Sequence, residues 1–212
     1  MCERPEAKRG ADGRPYDPDR LFLPPDDDLA PNRPGETLRA RLDGSRTAGA
    51  RLVLARLLGR RPVEDAWRAE LAAEQLVGAE LDALTPGGWE VVHSIVLPGD
   101  AVISHLLIGP GGVFCVFARP GRERQPQPHV RRVRQCAARA SLALTRGCGF
   151  LVRVLPVLVL VGAGATETAA DDVRLLGEGE VASLGTLGGV LHPDRVDRVH
   201  TVARNRRVWL GA

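Results

Sequence analysis

Chemistry in this chain must be built almost without lysine: the sequence holds one, Lys8, against 28 arginines. A mechanism that needs a lysine inside the folded body is thereby excluded. Arginine stays protonated, so it binds anions but exchanges no proton near neutral pH. Nine arginines fall between residues 119 and 153 against Glu123 alone, a local net charge of +8 in a chain whose total is +3. Residues 1–44 and 45–118 each carry −2, residues 154–193 carry −4 and residues 194–212 carry +3. An arginine cluster of this kind focuses field on phosphate and releases counterions when phosphate binds. The bland counterpart is a solvated helix face in an arginine-biased composition. Arg131, Arg132, Arg134 and Arg139 cannot all face a core, so part of the cluster is a basic surface.

The remaining candidates are sparse. Cys2, Cys115, Cys136 and Cys148 form no CxxC pair and have no histidine at zinc-finger spacing, which argues against a disulfide framework or structural zinc. Cys115 sits among alternating apolar residues, as a buried small hydrophobe does. Gly109-Pro110-Gly111-Gly112 and Gly162-Ala163-Gly164 are glycine-rich, yet neither completes a phosphate loop or a dinucleotide fingerprint. His105 is able to ligate a transition metal, although a histidine on a short strand is more often packed or hydrogen-bonded. Aromatic residues make up 4% of the chain, too few for base-stacking platforms.

These side chains need elements to hold them. Residues 1–44 contain 7 of the 16 prolines and the run Asp26-Asp27-Asp28, and read as a disordered tail. Residues 45–62 read as a helical linker, continuing a helix-like pattern from Thr37 with a break near Gly44 and Gly49. Val63–Leu84 is a better helix, with Trp67, Leu71, Gly78 and Leu81 on one stripe. Glu74 falls on that stripe too. It is either a carboxylate facing the core, costly unless paired, or one at the stripe's edge that reaches water. Trp89–Leu97, Ala101–Ile108 and Val113–Ala118 read as strands joined by turn-forming residues. Residues 130–147 form an amphipathic helix, and Leu155–Val161 has the unbroken apolar character of a strand covered on both faces. Val173–Leu175 and Val181–Leu184 read as short strands, and residues 193–212 as a basic C-terminal helix. The order predicts an α/β fold with a mixed central sheet flanked by helices. The longest apolar run, Leu151–Gly164, is broken by Arg153 and Pro156 and is too short to cross a bilayer. The charged start MCERPEAKRG does not resemble a signal peptide, so a cytoplasmic location is expected.

Gly88-Trp89-Glu90-Val91-Val92-His93, then Leu97-Pro98-Gly99, then Ile103-Ser104-His105-Leu106-Leu107-Ile108-Gly109-Pro110-Gly111-Gly112-Val113-Phe114 form one recognisable pattern. It resembles the nuclease-related domain (NERD) family from about Trp67 to Leu187, within a domain placed at residues 63–192. The resemblance implies a restriction-endonuclease-like fold of the PD-(D/E)xK kind. In such enzymes carboxylates on adjacent strands hold a divalent metal beside a lysine. Carboxylate oxygens suit Mg²⁺, which activates water and clamps phosphate.

Carried onto this chain, the resemblance places the family's first aspartate at Ser104, its second acidic position at Phe117 and its lysine at Arg119. The helix glutamate is kept at Glu74, and Gln135 resembles a glutamine that some relatives place near the site. A hydroxyl is a weak Mg²⁺ ligand, and Phe117 is expected to fill the space of a hydrated metal. One carboxylate holds a catalytic ion poorly. The expected function is therefore a catalytically inactive nuclease-related module with a degenerate metal site and no cofactor, either a scaffold or a binder of nucleic acid, DNA being the candidate, through Arg119, Arg122, Arg124, Arg131, Arg132, Arg134 and Arg139. The alternatives are an active Mg²⁺-dependent nuclease with a rearranged site, supplied by Asp100 or Glu123, and a protein-interaction module with an unknown protein partner. Whether the chain is an enzyme is left open at this stage.

Overall fold

A computed structural model describes residues 23–44, 63–121, 127–162 and 172–212. Five strands form one mixed sheet in the order β1-β2-β3-β4-β5. Strands β1 (Glu90–Leu97), β2 (Ala101–Gly109) and β3 (Gly112–Pro120) make an antiparallel meander, as the short turns between them require. Strand β4 (Val154–Val161) pairs parallel to β3, and β5 (Arg174–Gly177) parallel to β4. A parallel pair needs a crossover connection, and helix α3 (Gln127–Cys148) lies on the one from β3 to β4.

Each face of the sheet is covered. Helix α2 (Val63–Asp82) packs on one, together with a 3-10 helix at Glu178–Thr186. Helices α3, α4 (Pro193–Arg204) and α5 (Arg206–Trp209) cover the other. Strand β3 is buried on both sides: Phe114, Val116 and Ala118 join the α2-side core, while Val113, Cys115 and Phe117 join the α3-side core. The α/β sandwich with a mixed sheet is thus as the sequence pattern predicts.

Three expectations are corrected. Residues 23–44 are not a tail. Leu29 and Leu38 are buried, helix α1 (Glu36–Gly44) packs on α2, and Asp27 and Asp28 pair with Arg207 and Arg204. A segment with two well-placed leucines and a charge-matched docking surface needs no dense hydrophobic pattern. Residues 1–22, and the linker reading over 45–62, lie outside the described residues. Val181–Leu184 belongs to the 3-10 helix and is not a strand: Glu180 Oε2 accepts from Gly177 N at 2.7 Å, and Ser183 and Thr186 hydroxyls donate to carbonyls three residues back. The C-terminal helix is two helices. Asn205 breaks it, adopting extended backbone to bridge Asp28 and accepting from Arg207 N at 3.0 Å. Of the two placements open to Glu74, the structure shows the inward one: it is 3% exposed.

Candidate functional site

The polar residues of the interior gather between α2 and the sheet. Two local irregularities bring them there. Ser94 on β1 has φ of +52°, an uncommon left-handed conformation for a non-glycine residue. Its hydroxyl donates to Arg33 O at 3.0 Å and accepts from Glu36 N at 3.1 Å, which holds the kink. Across the hairpin, His93 pairs with His105 and Ile95 with Ile103. Ile95 and Ile103 enter the α3-side core, whereas His93, His105 and Ser104 all face α2. Strict strand alternation would have sent Ser104 and His105 to opposite faces. The β2–β3 ladder ends at His105↔Val116, while β3 stays paired with β4 as far as Pro120↔Val161. The strands therefore part beside Ser104, and Arg119 lies near the end of β3 beyond that parting.

Glu74 stands over this gap. Its Oε1 accepts from Ser104 Oγ at 2.8 Å and lies 3.6 Å from Arg119 Nη1. Arg119, 5% exposed, also pairs with Glu70 at 2.7 Å, donates to Ala118 O at 2.8 Å and donates from Nε to His129 Nδ1 at 3.3 Å. Its guanidinium sits 5.5 Å from the Phe117 ring centre. One side chain thus touches both layers: Glu70 and Glu74 on α2, His129 on α3. Burial raises the Glu74 carboxyl above its ordinary range, and the Ser104 hydrogen bond and the Arg119 charge only partly oppose this. Its second oxygen, Oε2, has no hydrogen-bond partner.

A second chain of groups runs beside the first. His93 Nε2 lies 3.0 Å from Asp82 Oδ1, and His93 Nδ1 lies 2.9 Å from His105 Nδ1. Between neutral rings a carboxylate acceptor requires Nε2–H on His93, so His93 Nδ1 accepts and His105 Nδ1–H donates. His105 Nε2 is then a bare lone pair, and it is without a partner. Burial lowers both histidines below the usual imidazole value, His105 further because His93 and Arg119 add to the effect, while Asp82 partly offsets it for His93.

Arg119 is buried in its ion pairs and does not belong to an exposed basic surface. Phe117 is buried too, but in the α3-side core. The group beside Glu74 is the Arg119 guanidinium, and the ring does not fill that space. Arg131 and Arg132 are exposed on α3. With Asp100, Gln135 and Arg139 they line a groove of about 610 Å³ between α3 and the β1–β2 turn. Arg134 is bound to Asp172, and Arg139 donates to Pro98 O and Ala212 O at 3.0 and 2.8 Å. Arg122, Arg124 and Glu123 lie outside the described residues. Asp100 opens on the groove and is not among the partners of the Glu74 cluster. Cys115 is buried with its thiol pushed well up, an inert side chain.

Glu70 and His93 are the site residues that sequence reasoning missed. Both left a signal. Glu70 precedes Glu74 by one helical turn, and the short β1–β2 turn sets His93 opposite His105. Among the described residues no group of three or more His, Cys, Asp or Glu is placed to hold a metal.

Comparison with known proteins bears out the family resemblance. Residues 69–118 match the family model of the nuclease-related domain. The match spans most of α2 through Ala118 on β3, so it includes Glu70, Glu74, His93, Ser104, His105 and Phe117 and ends one residue before Arg119. No curated protein and no solved structure gave a match.

Proposed function

We propose that this chain, with its nuclease-related segment at residues 69–118, is a polyanion-binding module in which an internal ion pair has replaced metal chemistry. The observation that carries the reading is the Arg119 guanidinium between Glu70 and Glu74. Those residues are a poor fit to Mg²⁺. The guanidinium neutralises the carboxylates and repels a second cation at the same place. The hydroxyl of Ser104 is spent on Glu74. When Mg²⁺ is bound in a nuclease of this kind, it supplies an activated water and a clamp on phosphate; here Glu70 and Glu74 would have to hold it, and both already face the Arg119 guanidinium.

The binding surface on this reading is the exposed arginine face of α3, with nucleic acid as the polyanion. Arg131 and Arg132 present guanidinium groups to solvent beside the groove, and Gln135 and Arg139 extend the line along the same helix. Contacts of this type set affinity for phosphate without reading sequence. Retention of DNA should fall steeply with salt, and Arg131→Ala with Arg132→Ala should weaken it equally on unrelated sequences. Absence of DNA retention at low salt rejects the binding half of the proposal.

Calorimetric titration with Mg²⁺ and Mn²⁺, paired with a cleavage assay on supercoiled and linear DNA, tests the other half. No ion binding and no product is the expected result. Metal-dependent cleavage that Glu74→Ala abolishes would instead establish an active nuclease, a reading favoured by one feature, the unpartnered Glu74 Oε2.

A further inference from the structure

We propose that residues 23–44 are a detachable strap that seals the polar compartment around Glu74 and His105, latched by the Asp27–Arg207 and Asp28–Arg204 ion pairs. The inference is independent of whether the arginine face of α3 binds nucleic acid.

The contacts place the strap over both orphaned atoms. A Cβ on Gly35 would lie 2.3 Å from Leu71 Cδ1 and 3.6 Å from Glu74 Oε2. A Cβ on Gly78 would lie 2.4 Å from Pro34 Cγ and 3.3 Å from His105 Cε1, the carbon beside Nε2. Only glycine at both positions lets the Pro34–Gly35 turn settle onto α2, and Gly35 also takes a left-handed φ of +71°. Beneath that turn lie Glu74 Oε2 and His105 Nε2, two buried polar atoms with no partner.

A polar atom in this state is destabilising when sealed and satisfied when hydrated. The closed strap therefore works against its own underside. It is held from elsewhere. Asn32 Nδ2 donates to His93 O and Ser94 O at 3.2 and 3.3 Å, both long. Ser94 Oγ adds a bond donated to Arg33 O at 3.0 Å and one accepted from Glu36 N at 3.1 Å. A second tether is at the other end, where Asp27 and Asp28 meet the α4–α5 junction: Arg206 N donates to Asp27 O and Leu29 N to Arg204 O, each at 2.8 Å. Arg207 pairs with Asp27 at 2.7 Å with its side chain 64% exposed. Ion pairs so exposed weaken as salt rises. The Asp28–Arg204 pair is less exposed and holds by two hydrogen bonds, so opening requires both pairs to part, a local event that needs less free energy than global unfolding. Release lays Glu74, Ser104, His105 and Arg119 open to solvent and to solutes.

Carbethoxylation of histidines by diethylpyrocarbonate, read by peptide mass spectrometry on the full chain, tests this. His192 is an internal control because its side chain is 75% exposed. In the wild type His192 should react fast and His105, which is fully buried, slowly. Asp27→Asn with Asp28→Asn should speed modification of His93 and His105 about tenfold, leaving His192 and the circular dichroism spectrum unchanged. Raising NaCl from about 0.05 to about 1 M should move the wild type in the same direction. The buried thiols of Cys115 and Cys136, on the far face of the sheet, should stay unreactive to N-ethylmaleimide throughout. Unchanged His105 reactivity in the folded variant and across the salt series overturns the proposal. So does a rise at His105 that comes only together with the cysteines, since that is global unfolding. If the double variant fails to fold, Asp27→Asn alone, which keeps the Arg204 pair, is judged by the same readings.

Discussion

The two faces of one sheet are built on opposite terms. On the α3 side Cys115, Phe117, Val133, Ala140, Leu144, Leu158 and Val199 make an apolar core. On the α2 side Trp89, Phe114, Val77 and Leu81 pack equally tightly, yet Glu74, Ser104, His93, His105 and Arg119 are buried with them. An apolar face is stabilised by area removed from water and tolerates any side chain of suitable shape. A polar interior holds only while each charge keeps its partner, because a lone buried charge costs far more than a lost contact. Both faces therefore supply apolar burial, the α2 side adds buried charges whose pairing must be kept, and the basic surface lies on the outside of α3.

Removing one side chain from each face gives the largest effects and separates them by rescue. Arg119→Ala strands Glu70 and Glu74 without their cation and should cost about 3–5 kcal/mol in chemical denaturation. Adding Glu70→Gln and Glu74→Gln should recover much of that loss, since the uncompensated charge is gone. Phe117→Ala empties apolar volume and should also cost about 3–5 kcal/mol, but the same two glutamines should recover none of it. Equal rescue of both would erase the distinction between the faces.

On the α2 side the pH dependence of stability should have two limbs of opposite sign, and His200 on α4, lowered by burial, should add to the first of them. His93 and His105 have folded values below the ordinary 6.5, so the unfolded chain takes up their protons first. Stability from this source is present above about 6.5 and lost as pH falls toward the folded values. Glu74 is shifted upward from 4.5, so its contribution is present at low pH and lost as pH rises through its folded value. Urea midpoints across pH should show His105→Gln flattening the first limb and Glu74→Gln flattening the second. Substitutions confined to the α3 side, such as Val133→Ala, should shift the whole profile and leave its shape unchanged. The smallest effect is expected outside both cores. Arg134→Ala breaks an exposed pair with Asp172 and should leave the thermal midpoint where it is.

Much of this was legible before any coordinates. The stripe of α2 left Glu74 either inward and in need of a partner or at the edge in water; it is inward, and the partners are Ser104 and Arg119. The period-two runs placed three strands within a residue or two of their observed bounds. Other features were hidden for definite reasons. Phe117 and Arg119 share a strand face by alternation, which says nothing of how far a long guanidinium travels past a sheet that has parted beside it. The kink at Ser94 is held by Arg33 and Glu36, about 60 residues away, so no local pattern announces it. Residues 23–44 looked like a tail because their docking depends on Arg204 and Arg207 at the other end of the chain.

The amino-acid sequence by itself determined the alternation of helices and strands, the family of the 69–118 segment, the lack of a body lysine and the basic character of α3. These follow from composition and short-range periodicity, which act between neighbours along the chain. Only the tertiary structure decided that Arg119 turns inward to two glutamates, that His93 meets His105, and that Pro34–Gly35 closes over them. Those pairings join residues far apart in sequence, and the free energy of a buried charge depends on what surrounds it in space.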